Sequence, residues 1–280
     1  MMKSDKIKID MRCVMDREII QAAKEIAINV IQEAGLICKE KFDNVLELRS
    51  KDEFGDVVTE VDHMCEEIII KQIQNTFPNH QIHSEEAGLI GMKDDWLWLI
   101  DPLDGTNNFA IGLPVFSISI TLMYRREPVL GVVYEPLTER LFVSVIGEGT
   151  SCNHQRIQMK SSPNIFKGNI GWIQGHAVQN DPQAVKLRQH IDIRFKRMLR
   201  LWAPTVQWCM LAKGDIDGII VYNSEGDDLY SGILMVKEAG GLVIDFEGNP
   251  FNGMKEEPYL IACHADHMEE LLRTVREGLS

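Results

Sequence analysis

Apolar residues in the first quarter of this chain recur at helical spacing. From Asp16 the run "DREIIQAAKEIAINVIQEAGLICKEKF" places Ile19, Ala23, Ile26, Val30 and Ala34 along one stripe, the signature of an amphipathic helix. Asp16 is the expected N-cap, with Glu18 in the first turn. The preceding "MMKSDKIKIDMR" is charged and lacks the apolar region of a signal peptide, so residues 1–15 are expected to be a flexible leader. A second helix is expected over "EVDHMCEEIIIKQIQNTF", stopping before Pro78. The period then shortens: "WLWLI", "VFSISITLM", "PVLGVVYE" and "ERLFVSVIG" are β-branched and apolar runs parted by turn residues and predict strands, two of them joined by "EPLTER" as a hairpin. Beyond Asn153 the pattern alternates, with strands at "GNIGWIQG", "IDGIIVY" and "LVIDF" and a strand or its approach at "RFKRMLRLW". Helices are expected between them at "DPQAVKLRQHI", at "TVQWCMLAKG" stopped by Gly214, and at "DLYSGILMVKEAGG". Mixed in this order, the elements imply an α+β chain of packed sheets and helices, divided into residues 16–154 and 155–280.

Composition narrows the function. The 280 residues are 45% hydrophobic and 25% charged, an ordinary globular balance. No apolar stretch approaches the roughly 18 residues that cross a bilayer, and the six cysteines form no C-x-x-C pair, so reduced thiols and a cytoplasmic location are expected. The net charge of −13 argues against nucleic acid or an anionic membrane as partner. An anion bound by so acidic a chain needs cations to mediate the contact.

Four acidic clusters stand near expected element ends: "GDVVTEVD" ending at Asp62, "HSEEAG" with Glu85 and Glu86, "IDPLDGT" with Asp101 and Asp104, and "GDDLYSG" with Asp227 and Asp228. In the third, Pro102 fixes φ and Gly105 permits positive φ, so a sharp turn is expected to aim both aspartates into one space. At about 4 Å two such carboxylates repel by roughly 4 kcal/mol at an effective dielectric near 20. A hard divalent cation taking carboxylate oxygens and the Leu103 carbonyl would offset this, and Gly105 and Thr106 could offer N–H groups to an anion. Three of these clusters, and the histidines further on, also have plainer explanations. Asp-Gly and Asp-Pro are turn signals, Asp227 or Asp228 could simply cap a helix, Glu85-Glu86 could be a solvated loop, and "HADH" at His264–His267 a surface helix start.

Taken together, "WLWLIDPLDGTNNF", "GDVVTEVD", "HSEEAG" and "GILMVKEAGG", in this order, resemble the motifs of the inositol monophosphatase family, within the lithium-sensitive, magnesium-dependent phosphatases, over about Asp16 to Ala265. The resemblance implies the layered α-β-α-β-α sandwich shared with fructose-1,6-bisphosphatase. It implies two or three Mg²⁺ ions, one held by Glu85, Asp101 and the Leu103 carbonyl and another by Asp101, Asp104 and Asp228, with Glu85 also serving a weaker third position. It implies Thr106 and Asp62 as the pair that activates water, with Glu85 in the catalytic set, and Gly105, Thr106 and Asp228 as phosphate contacts. Lys51, five residues before Asp56, matches a lysine often found near the family's active-site loop.

The implied activity is hydrolysis of a small phosphorylated substrate, inositol 1-phosphate by default. The alternatives are a nucleotide or sugar bisphosphate (adenosine 3′,5′-bisphosphate, NADP or fructose 1,6-bisphosphate) and, in another class, a non-catalytic phosphate sensor or scaffold. Lithium sensitivity and a homodimer are further family expectations. Three departures stand out. Asp227 replaces a family tryptophan; Trp202-Ala203-Pro204 replaces Gly-Ser/Thr-Ala; and Val221 stands where a glutamate meets the inositol hydroxyls, a role Glu225 could take over.

Overall fold

The long opening helix α1 (Met2–Lys41) begins well before Asp16. The residues expected to be a leader continue the helix, since "MKSDKIKIDMRCVM" contains neither Gly nor Pro to stop it. The computed structural model describes residues 2–44, 48–50, 57–224, 226, 228–255 and 258–280, with side chains described from residue 16 onward. Lys51, Asp56, Glu225 and Asp227 lie outside the described residues.

After α1 come β1 (Leu48–Ser50), β2 (Val57–Thr59), α2 (Glu60–Thr76), β3 (Gln81–Ser84), β4 (Gly88–Ile90), β5 (Trp96–Asp104) and α3 (Thr106–Ala110). A meander follows, β6 (Ser117–Tyr124), β7 (Glu127–Glu135), β8 (Arg140–Val145), β9 (Gly149–Cys152) and β10 (Gln155–Ile157). The second half contains β11 (Asn169–Gln174), α4 (Pro182–Arg194), β12 (Arg197–Leu199), α5 (Pro204–Lys213) and β13 (Gly218–Tyr222). It closes with α6 (Leu229–Glu238), β14 (Leu242–Asp245), β15 (Tyr259–Cys263) and α7 (Met268–Leu279).

An eight-stranded sheet of order β10-β9-β8-β7-β6-β5-β3-β4 and a five-stranded sheet of order β12-β11-β13-β15-β14 carry the fold. α1 and α2 cover one face of the large sheet, where Ala23, Ala27, Val30, Ile31 and Ala34 meet Val61, Ile69 and the inward residues of β5 to β7. The buried stripe of α1 is rotated slightly from the expected one, leaving Ile19 and Ile26 half-buried at its margin. α5 and α6 fill the space between the sheets, and α4 with α7 backs the small sheet. The layers are therefore α-β-α-β-α, as the resemblance implies. The division expected between residues 154 and 155 falls in the turn of the β9–β10 hairpin, so the large sheet keeps β10. The central helices come from the second half but pack against the large sheet as well, and apolar side chains of the two halves share one cluster. Each side chain of Leu, Ile, Val or Phe buried there contributes roughly 1.5–3 kcal/mol. Gly232 on α6 allows this layer to close, since a Cβ there would stand 2.1 Å from the Trp208 ring.

Several elements had no clear signal in the sequence. β1 to β4, β9, β10 and α3 are short, and α7 follows the "HADH" stretch expected to start a surface helix. That stretch does lead into α7, but His267 is buried and its Nε2 accepts a hydrogen bond from the Ser162 N–H at 3.0 Å.

Candidate active site

The acids of "IDPLDGT" do not sit in a turn. β5 runs through Asp104, and the expected reversal is replaced by a β-bulge: Asp101 opposes Ser119 and Asp104 opposes Ser117, so two residues of β5 face one of β6. This detail decides the geometry. Residues three apart on a regular strand point to opposite faces, and one extra residue brings them back to the same face. Pro102 is tolerated because a bulge releases its missing N–H from the ladder. The Asp101 Oδ1 accepts the Leu103 N–H at 3.0 Å and fixes the bulge from within. The chain turns one residue later, at Gly105 with φ +89°, which leads into α3 at Thr106. A Cβ on Gly105 would lie 3.0 Å from the Val115 carbonyl oxygen and 3.2 Å from that of Trp202, so both the angle and the space require glycine.

Asp101 and Asp104 are buried, at 7% and 4% exposure. Burial, then the charges of Glu85, Asp104 and Asp228, raise Asp101 well above the usual carboxylate range. Asp104 is pushed up to about 7 by burial, although hydrogen bonds from Thr205 and Ser117 pull the other way. Its Oδ2 accepts the Ser117 hydroxyl at 3.0 Å, the Thr205 N–H at 3.0 Å and the Thr205 hydroxyl. Glu85 follows β3, parallel to β5, and its N–H donates to the Ile100 carbonyl at 3.1 Å. The turn carrying it is gripped by the buried Glu66 of α2, whose Oε1 accepts the Ser84 hydroxyl and the N–H groups of Glu86 and Ala87. Asp228 occupies the N-cap position of α6 but makes no side-chain capping bond there, which removes the plainest explanation for that acid.

Glu85, Asp101, Asp104 and Asp228 line one cavity of ≈ 430 Å³ together with Leu103, Gly105 and Thr106. Among the described residues no three acidic, histidine or cysteine side chains converge on one ready-made metal position. Asp104 and Asp101 each direct an oxygen into the bulge and its neighbours, whereas Glu85 is exposed and Asp228 half-buried. The donor set is nonetheless all oxygen, and its two buried acids are lifted toward neutrality by burial first and then by neighbouring carboxylates, Glu85 in both cases. That chemistry fits a hard divalent cation such as Mg²⁺.

Asp62 lies behind the cavity wall, fully buried. Its Oδ2 accepts the Thr59 N–H at 2.8 Å and the Thr59 hydroxyl at 2.6 Å, closing a capping box at the start of α2. Its Oδ1 accepts the Thr106 hydroxyl at 2.9 Å, and that hydroxyl also lies 2.8 Å from the Leu103 carbonyl oxygen. Thr106 therefore meets the cavity and Asp62 acts through it.

On the substrate side the expectations shift. Val221 is fully buried in β13, between Ile173 and Leu260, and does not line the cavity. Asn223 and Ser224 reach it instead, because the strand ends at Tyr222 before the chain turns in. Trp202 stands at the mouth with φ +51° and 58% exposure, Ala203 is buried, and Pro204 opens α5. Thr205, Ser117, Glu66 and Thr59 were not singled out from the sequence. Of these only Thr59 had a local signal, the "TEVD" spacing of a capping box.

The model of the inositol monophosphatase family matches residues 17–280. A Nus factor SuhB of Pasteurella multocida is 32% identical over 267 residues, covering 91% of this chain and 96% of that protein. A fructose-1,6-bisphosphatase/inositol-1-monophosphatase of Aquifex aeolicus is 33% identical over 231 residues, covering 81% and 86% respectively. In structure, an inositol monophosphatase of Thermotoga maritima superposes with a TM-score of 0.82 at 28% identity, over 91% of this chain and 97% of that one.

Proposed function

The chain belongs to the inositol monophosphatase family, and from that premise we propose that it is a Mg²⁺-dependent phosphomonoesterase acting on a small polyol or sugar phosphate. The observation that carries this reading is the Thr106 hydroxyl, bonded at 2.9 Å to the buried Asp62 on the wall that also presents Asp101 and Asp104. With Thr59 holding one oxygen of Asp62, the other is committed to Thr106, whose lone pairs can accept a proton from a water in the cavity. As that water attacks phosphorus, the bond from phosphorus to the ester oxygen breaks; the water's proton passes to the Thr106 oxygen, the threonine proton to Asp62, and the departing alkoxide takes a proton from solvent water. Glu85, Asp101 and the Leu103 carbonyl would hold one Mg²⁺, and Asp101, Asp104 and Asp228 another, with Glu85 open to a weaker third. Bound there, such ions supply a more acidic water and neutralise both attacking and leaving oxygens. The N–H groups of Gly105 and Thr106 and the N-terminal end of α6 at Asp228 favour the phosphate.

The sensor reading predicts a missing ligand or water-activating residue, and Asp62, Glu85, Asp101, Asp104, Thr106 and Asp228 are all present. Inositol 1-phosphate remains the default substrate. The test is phosphate release from a panel of inositol 1-phosphate, sugar phosphates, fructose 1,6-bisphosphate, adenosine 3′,5′-bisphosphate and NADP, with Mg²⁺ or with a chelator. We expect release from a polyol or sugar phosphate that chelation abolishes and Mg²⁺ restores. Turnover that survives chelation, or none on any ester, overturns the reading. The same preparation, passed over a sizing column with and without nucleic acid, tests the expected homodimer and the expected absence of a nucleic-acid partner.

A further inference from the structure

Away from the acids, the small sheet contributes a different wall to the same cavity. β11, β12 and β13 are parallel, with Gly171 opposite Leu199 and Trp172 opposite Ile220. Continuing this register places Arg200 beside Trp172, where β12 ends, and Gln174 at the end of β11. Both line the cavity. Ligands of open α/β sheets bind outside these carboxyl ends. Arg188 of α4 does not itself line the cavity but bonds a residue that does, its Nη1 donating to the Gln174 Oε1 at 2.7 Å, an oxygen that also accepts the Trp172 indole N–H at 2.7 Å. Gln174 is thereby fixed, and its buried Nε2 has no hydrogen-bond partner among the described residues.

We infer that Arg200 and Gln174, with Arg188 bonded behind Gln174, form a second anion subsite in this cavity that takes the second phosphate of a small bisphosphorylated substrate. The inference rests on the phosphatase reading above and deepens it. Burial, then repulsion from Arg200, holds Arg188 below the usual guanidinium range, so the two cations are close enough to oppose each other. Among the described residues neither is ion-paired with a carboxylate, although the chain carries 42 acids against 29 Lys and Arg. Arg200 stands on a wall facing four carboxylates, with Arg188 behind it on Gln174. A phosphate offsets their repulsion, matches the guanidinium fork and gives the Gln174 amide an acceptor. A phosphate seated at the acidic wall can do none of this, so the feature calls for an anion at the far end of the same molecule. At ≈ 430 Å³ the cavity is in the range that encloses a small ligand.

The experiment compares pairs of substrates that share one phosphate and differ in the second: fructose 1,6-bisphosphate with fructose 1-phosphate, and adenosine 3′,5′-bisphosphate with adenosine 3′-phosphate. The ratio of kcat/KM, bisphosphate over monophosphate, should fall roughly tenfold to a hundredfold in Arg200→Met and in Arg188→Met. Arg200→Lys, which keeps the charge, should lose less. The pair that responds identifies a sugar or a nucleotide as the carrier. A ratio unchanged in both methionine variants overturns the inference. Should no pair be turned over, the phosphatase reading fails separately. The subsite is then read in chelator by titrating inorganic phosphate against the thermal midpoint. The wild type should rise and the methionine variants should not, and equal curves overturn it.

Discussion

At the scale of single residues, the site depends on which oxygen of each acid is already taken. Asp62 gives one oxygen to Thr59 and the other to Thr106, and Asp104 gives Oδ2 to Ser117 and Thr205. Threonine at 106 can pass a proton and valine cannot, although their shapes are alike. Thr106→Val is therefore expected to lower kcat by about 10²–10⁴ with KM little changed, the loss typical of a positioned proton acceptor. Steady-state kinetics at saturating Mg²⁺ read it, and circular dichroism confirms the fold. Thr205→Ala should act differently. It removes a hydroxyl donor to Asp104 while the backbone donor remains, so the Mg²⁺ concentration for half-maximal rate should rise by roughly tenfold to a hundredfold. An unchanged Mg²⁺ dependence would show that the Thr205 hydroxyl does not set the orientation of Asp104.

At the scale of elements, the decisive feature is a strand that continues where the sequence suggested a turn. Two acids in a D-P-L-D-G run read naturally as a turn, because Pro and Gly signal turns locally. What they form instead depends on pairing with β6, a tertiary contact that no window of β5 contains. The acids and their shared face were thus legible, but the mechanism that aligns them was not. The long helices and central strands were legible for the opposite reason, since their periodic burial is written along one segment. Short strands such as β1 to β4 exist only by virtue of their partners. Val221 shows the same boundary: counting residues placed it in the pocket, whereas the alternation of β13 turns it into the core. Glu66 and Thr205 were invisible because each serves a residue 20 or 101 positions away. Gly105→Ala is the test of this scale. Its φ of +89° costs a residue with a Cβ roughly 1–2 kcal/mol, and the added atom must also displace the Val115 or Trp202 carbonyl. A lower thermal midpoint and reduced turnover are expected together; a variant as stable and active as the parent would contradict the backbone argument.

At the scale of the whole molecule, two histidines built into the packing tie stability to pH. His80 lies between the Phe77 and Trp96 rings, and its Nδ1 accepts the Trp98 indole N–H at 3.1 Å. Burial lowers its pKa, against a weaker opposing pull from Asp94. Burial likewise lowers His267, which accepts from Ser162. With folded values depressed, the unfolded chain binds more protons below about pH 6.5, so stability is complete above that value and declines as pH falls through it. The metal-free acids push in the opposite direction, because the raised values of Asp101 and Asp104 favour the folded state as pH falls below them. The difference between wild type and His80→Gln cancels the acids. Thermal midpoints from pH 7.5 to 5.5 should fall less steeply in the variant, and parallel profiles would show that His80 binds its proton equally well in the folded and unfolded chain. No helix among the described residues is long and apolar enough to cross a membrane.

The central helices hold both sheets at once. α5 begins at Pro204, next to the threonine that fastens Asp104 of the large sheet, and α6 begins directly after Asp228. Gly232 presses α6 flat against Trp208 of α5, so neither rod can slide along the other without a collision. The two are in effect a single keyed shaft, and a small axial slip would misplace an acid from each half of the chain together. The rim is free of that constraint, since Trp202 and the strand-end side chains line the cavity away from the contact between the two helices.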